Sequence, residues 1–154
     1  MTTQRVTETS RFGSIRYTAE DIVTFADGLV GFPNLESFVL IQHDDDSQFR
    51  WMQSTDFGDI AFLVVDPSRY VADYDPAVPD SLAESLSLDE DTPRLVYTIV
   101  SIPPGKPEEM TINLAGPIII NTESGCARQV VIEDEQHAIK HRVFEGVERD
   151  ESAA

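Results

Sequence analysis

His137 and His141 stand four residues apart. On a helix that spacing would bring both imidazoles to one face, as zinc ligation requires. A metalloprotease also needs a glutamate directly after the first histidine as general base, and Ala138 occupies that place. Glu133 and Asp134 offer carboxylates, but their spacing specifies no metal, so the pair reads as two surface histidines. His43 has no evident partner. Asp44-Asp45-Asp46 offers hard oxygen ligands. It lacks the ligand spacing, central glycine and final glutamate of a calcium loop, and reads as a solvated turn. Ser124-Gly125-Cys126 places a hydroxyl and a thiol in a turn with no base at an identifiable spacing, and Gly-x-Ser-x-Gly does not occur. Gly105-Lys106 lacks the preceding glycine frame of a phosphate-binding loop, and Pro107 sits where a Ser or Thr would hold magnesium. Carboxylates are so numerous that no pair stands out as an acid/base couple. These residues carry no catalytic signature and imply neither a metal nor a cofactor.

The charge balance points to binding instead. Asp and Glu number 28 against 11 Lys and Arg, a formal net charge of −17. Nucleic-acid binding needs a basic footprint on phosphates, and attraction to an anionic membrane needs one too. Neither is expected here. An acidic surface suits a basic protein partner, with association that weakens as salt rises, or serves solubility alone. The single cysteine, Cys126, cannot form an intrachain disulfide and fits a reduced, cytoplasmic setting. The start, Met1-Thr2-Thr3-Gln4-Arg5, has no apolar run behind it, so no secretory signal is expected. Apolar runs such as 60–65 and 117–120 fall far short of the roughly 20 residues a membrane helix needs.

The elements that must position any site are mostly strands. Residues 14–17, 21–25, 37–42, 49–53, 60–65, 95–102, 110–114, 117–120 and 128–132 carry strand patterning. In 49–53, Phe49, Trp51 and Gln53 share one face, with Trp51 read as core ahead of contact. Runs 60–65 and 95–102 are apolar on both faces and should be central. Phe57-Gly58-Asp59 reads as a tight turn. Gly28 and Gly31 suit positions of positive φ or close approach, with Phe32 expected to enter the core. Ser81-Leu82-Ala83-Glu84 has capping-box spacing, and Leu82 and Leu86 share a face, which predicts a helix of about two turns. Pro103 to Pro107 reads as a loop. The chain's 154 residues, 41% hydrophobic, make one domain. That domain spans 1–144, and 145–154 is an acidic, frayed tail. The fold class expected is mainly β, an antiparallel closed or nearly closed β-barrel with one or two short helices, or a sandwich.

Three segments, in order, resemble one family. Asp21-Ile22-Val23-Thr24-Phe25 leading into Asp27-Gly28-Leu29-Val30-Gly31-Phe32 is similar to the opening motif of the FliW flagellar assembly factors. Phe49-Arg50-Trp51-Met52-Gln53-Ser54, followed by Ile60-Ala61-Phe62-Leu63-Val64-Val65-Asp66-Pro67, resembles their central motif. Met110-Thr111-Ile112-Asn113-Leu114-Ala115-Gly116-Pro117-Ile118-Ile119-Ile120-Asn121, then Arg128-Gln129-Val130-Val131, resembles their C-terminal motif. The match runs from about Phe12 to Phe144. Gly116 stands where the family more usually has alanine, and His137 where it often has tyrosine.

The resemblance implies a small β-barrel protein of the cytoplasm, without enzymatic activity, expected as a monomer. It implies two partners: flagellin, and the translational regulator CsrA, a dimeric RNA-binding protein that represses flagellin synthesis. Export of flagellin frees the FliW-type protein to capture CsrA and relieve repression, and accumulated flagellin reverses this. The contact with CsrA is implied not to compete with RNA. Partner contacts are expected on the central hairpin at Asp56, Asp59, Phe62, Asp66 and Pro67, with Asn113 near it; Phe62 equally suits the core. The rival readings are a barrel of the same kind serving another basic or export-bound protein, and an unrecognised hydrolase or metal-dependent enzyme.

Overall fold

The computed structural model describes residues 3–42, 49–71, 74, 78–89, 91–132 and 141–142. The Asp44–Asp46 turn, His43, Glu133, Asp134, His137 and the acidic tail lie outside the described residues. Strands β1 (Arg5–Thr9) and β2 (Gly13–Tyr17) form an antiparallel hairpin. The remaining strands are β3 (Ile22–Phe25), β4 (Ser37–Ile41), β5 (Phe49–Ser54), β6 (Ala61–Val65), β7 (Arg94–Ser101), β8 (Thr111–Ile112), β9 (Ile118–Asn121), β10 (Cys126–Gln129) and β11 (His141–Arg142).

Strands β3, β4, β5, β6, β7, β9 and β10 close into a ring. Six of its pairings are antiparallel and the seam between β3 and β10 is parallel. An odd number of strands cannot alternate direction all the way round, so one parallel seam is unavoidable in a seven-stranded barrel. Strand β7 is long enough to serve two neighbours: its first half pairs with β9 and its second half with β8. Strand β11 extends that outer edge.

Side-chain alternation fills the barrel. The register runs Val23 opposite Phe38, Leu40 opposite Met52, Met52 opposite Phe62, Val64 opposite Ile99, Tyr97 opposite Ile118 and Ile120 opposite Ala127. These residues form one cluster with Phe25, Leu29 and Leu35. The outward faces of β6 and β7 are covered as well, as two-sided apolar runs require. Val65 and Val100 pack with Met110, Ile112 and Leu114, under Tyr70, Val71 and Tyr74. Ile119 of β9 packs under Leu86 and Val130.

Three local expectations need correction. Helix α1 (Asp80–Ser85) begins after Pro79, which makes no side-chain cap, so Ser81 lies inside the helix and not at its cap. The leucine pairing survives: Leu82 and Leu86 cover Ile119. Phe32 does not enter the core; it is 50% exposed. The β1 strand, polar and outside the expected set, forms because the hairpin lies across the barrel wall, where Thr7 donates its hydroxyl to the Thr55 carbonyl (3.2 Å).

Candidate partner-binding site

Five chain segments meet at one end of the barrel: the loop after β3, the turn joining β5 to β6, the Asn113–Pro117 stretch, and the ends of β7 and β10. Gly28 starts the first loop with φ +71°, where a Cβ would come within 2.6 Å of the Phe32 carbonyl oxygen. That turn folds Leu29 back on Phe32 through paired backbone hydrogen bonds of 3.1 and 2.8 Å. Leu29 goes down into the core, while Val30 and Phe32 point outward at 57% and 50% exposure.

The β5–β6 turn is fixed from beneath. Gln53 is fully buried, and its Nε2 donates toward the carbonyls of Ser54 (3.0 Å), Gly58 (3.2 Å) and Ile60 (3.0 Å). Its Oε1 has no partner among the described residues. The Ser54 hydroxyl accepts from the amides of Asp56 (3.3 Å) and Phe57 (3.0 Å). From the side, Ser10 in the β1–β2 turn donates its amide to the Gly58 carbonyl (3.1 Å) and its hydroxyl to the Asp59 carboxylate. A cleft of about 340 Å³ lies there, lined by Ser10, Arg11, Gln53, Gly58, Asp59 and Ala61. Asp56 and Asp59 are both exposed, so the turn presents two carboxylates to solvent.

The expected contact residues are not all brought together. Asp56 and Asp59 share this end with Phe62, whose ring packs edge-on to Phe32 (5.8 Å between centroids) and Phe38 (6.2 Å). Phe62 is thus half-buried barrel lining with Phe32 as its lid. Asp66 and Pro67 lie at the opposite end, beyond the far terminus of β6, a strand of about 17 Å by its length. Asp66 is engaged locally: its Oδ1 accepts from the amide (2.9 Å) and hydroxyl (2.7 Å) of Ser68, capping the 3-10 turn Pro67–Arg69. Pro67 is fully buried. At this far end, burial raises the Tyr97 phenol above its ordinary range; the Arg50 charge opposes the rise and the Asp66 charge adds to it.

Asn113 follows β8, its amide donating to the Ile99 carbonyl of β7 (3.0 Å). Its Oδ1 accepts from the Ala115 amide (3.1 Å). A Cβ on Gly116 would approach the amide nitrogens of Asn113 and Gln129, each at 2.8 Å. Both are ends of flexible side chains, so an alanine at this position would require only a small shift. Gln129 ties this stretch to the first loop, donating to the Gly116 carbonyl (3.0 Å) and accepting from the Val30 amide (3.0 Å).

Sequence reasoning missed the apolar side chains at this end. Phe57 is 45% exposed and Val131 57%. The signal available was an aromatic residue inside an Asp/Gly turn, where packing gives it nothing to do. Trp51 is also not core: it is half-buried on the outer wall, under the Arg11 guanidinium (4.0 Å from the ring centroid) and edge-on to Phe12 (6.1 Å). Trp51→Ala is therefore expected to cost about 1–2 kcal/mol in urea unfolding, below the full core penalty of about 3–5 kcal/mol.

For chemistry, the geometry offers little. Among the described residues, no group of three or more His, Cys, Asp or Glu side chains could hold a metal ion. His141 lies in strand β11, not on a helix, so the helical zinc spacing does not apply to it. Cys126 is exposed and free. No described helix is long and apolar enough to cross a membrane. What the end of the barrel presents is a rigid surface of carboxylates and apolar side chains, suited to contact with another molecule.

Comparison with known proteins agrees across almost the whole chain. The family model described as FliW protein matches residues 6–143. The flagellar assembly factor FliW of Caldanaerobacter subterraneus subsp. tengcongensis is 39% identical over 138 residues, covering 89% of this chain and 91% of its own. That of Thermotoga maritima is 35% identical over 143 residues, covering 93% and 96%. That of Leptospira interrogans (strain Fiocruz L1-130) is 34% identical over 138 residues, covering 90% and 92%. A crystal structure of the flagellar assembly factor FliW superposes with a TM-score of 0.83 at 28% identity, covering 92% of this chain and 99% of that one. The motifs, the seven-stranded barrel and these matches together place the chain in the FliW family.

Proposed function

We propose that this chain is a cytoplasmic flagellar assembly factor that works by partner exchange: it binds flagellin, and when freed of flagellin it binds and antagonises a CsrA-type translational regulator. It acts by being occupied, with no bond made or broken on it. The observation that carries this reading is a FliW-family barrel spanning residues 6–143 whose β5–β6 turn holds Asp56 and Asp59 exposed, on a chain of net charge −17. A regulator that grips RNA must present basic surface, and an acidic turn on a fixed backbone complements it. Exchange further requires that the two complexes exclude one another, a coupling free energy between the two binding events.

Charge reversal tests it. Asp56→Lys with Asp59→Lys is expected to weaken CsrA binding by about tenfold or more and to flatten its salt dependence, measured by calorimetric titration at low and moderate salt. The melting temperature should change little, because both side chains are exposed and only the Ser10 hydroxyl bond to Asp59 is lost. Unchanged binding would move the CsrA interface away from this turn.

A further inference from the structure

The two ends of the barrel differ in kind. At the far end the exposed side chains include Asp66's neighbours Ser68 and Arg69, with Asp89, Asp91 and Glu123, and Leu95 is its large exposed apolar residue among those described. The near end carries Val30, Phe32, Phe57 and Val131, all between 45% and 57% exposed. Scattered exposed apolar residues need no explanation, but a group rimmed by charge marks a contact surface.

These side chains stand on backbone that is already fixed. The Leu29–Phe32 bridge and the Gln129 bond to the Val30 amide hold the first loop. Gln53 and the Ser54 hydroxyl hold the turn that carries Phe57. A surface ordered before contact loses little conformational entropy on binding, so its apolar area converts to affinity efficiently. Carboxylates adjoin the crown: Asp56 and Asp59 flank Phe57, with exposed Arg11 lining the cleft beside Asp59, and the Asp27 carboxylate is 70% exposed even while paired with Arg128 (2.6 Å).

We propose that this crown of Val30, Phe32, Phe57 and Val131 is the docking surface for the basic, RNA-binding partner, through a segment that carries apolar side chains beside lysine or arginine. The apolar residues of the segment cover the crown, and its cations meet Asp56 and Asp59. This rests on the reading of the chain as a partner-exchange protein and adds where, and through what chemistry, a partner is held. It also separates two contributions by their salt response. Contact with the crown is insensitive to ionic strength, while contact with the carboxylates is screened.

The test is a calorimetric titration of the full chain with purified flagellin and, separately, with purified CsrA, at low and moderate salt. The variants are Phe57→Ser alone, Phe32→Ser with Phe57→Ser, and Leu95→Ser at the opposite end. The double variant is expected to lose about tenfold or more in affinity for CsrA, by the same factor at both salt concentrations. Phe57→Ser alone should lose part of that, and Leu95→Ser should stay within about twofold of the unaltered chain. Phe57→Ser keeps the result readable should the Phe32 change disturb Phe62. Unaltered affinity of the crown variants for CsrA, or a loss confined to flagellin, overturns the docking surface and leaves the functional reading standing. Binding of neither partner by the unaltered chain overturns both.

Discussion

Phe38→Ala is expected to destabilise the barrel by about 3–5 kcal/mol, read as a lowered urea midpoint with an unchanged slope. Phe38 is 0% exposed, its ring packed edge-on to Phe25 (5.5 Å) and to Phe62 (6.2 Å). It sits opposite Val23 on one side and Ser54 on the other, so alanine would leave a void that closed strands cannot collapse to fill. The loss should reach function as well. Phe38 supports Phe62, and Phe62 supports Phe32, whose ring is 5.8 Å away at the rim. A variant that still folds is expected to hold Phe32 less firmly and to bind partners more weakly, whereas Phe38→Leu should recover most of both. Full stability in Phe38→Ala would mean that the barrel interior is not packed as described.

Gln53→Ala carries the second large effect, about 2–4 kcal/mol. The side chain is fully buried, yet it lies on the outer wall, where its amide nitrogen organises three carbonyls of the β5–β6 turn. Two of those carbonyls keep a second donor: Gly58 accepts from the Ser10 amide (3.1 Å) and Ile60 from the Ser54 amide (3.0 Å). The cost is therefore a cavity plus weakened turn bonds, not three orphaned acceptors. Gln53→Glu should be at least as damaging, because it removes the donor and buries a carboxylate. In either variant, hydrogen exchange at residues 55–60 is expected to speed up before the rest of the barrel does. Uniform change across the chain would show that Gln53 supports global packing and not this turn.

Much of the barrel was legible in the sequence because alternation and two-sided apolar runs report burial directly. The runs 60–65 and 95–102 read as central strands, and they became β6 and β7, each covered on both faces. The limits are equally physical. Strand β1 is polar, because one face of its hairpin meets solvent and the other leans on the β5–β6 turn, so it carries little apolar pattern. Phe32 has the composition of a core residue, and the positive φ of Gly28 and Gly31, on either side of the Leu29–Val30 reversal, turns it outward. The capping box at Ser81 failed because Pro79 sets the helix start two residues earlier.

The expected contact residues divided for a similar reason. Asp56 and Asp59 fall on one end of β6 and Asp66 and Pro67 on the other, since a five-residue strand carries the chain from end to end of the barrel. A motif contiguous in sequence is not contiguous on a strand's two termini. The apolar crown draws instead on segments far apart in the chain, after β3, between β5 and β6 and after β10, and only the closed topology brings them to one rim.

The most direct measurement is a titration of the preformed complex of this protein and CsrA with purified flagellin, followed by light scattering on a sizing column. Stoichiometric release of free CsrA as flagellin binds is the expected result. A stable assembly of all three proteins, or a chain that captures neither partner at micromolar concentration in moderate salt, would contradict control by occupancy.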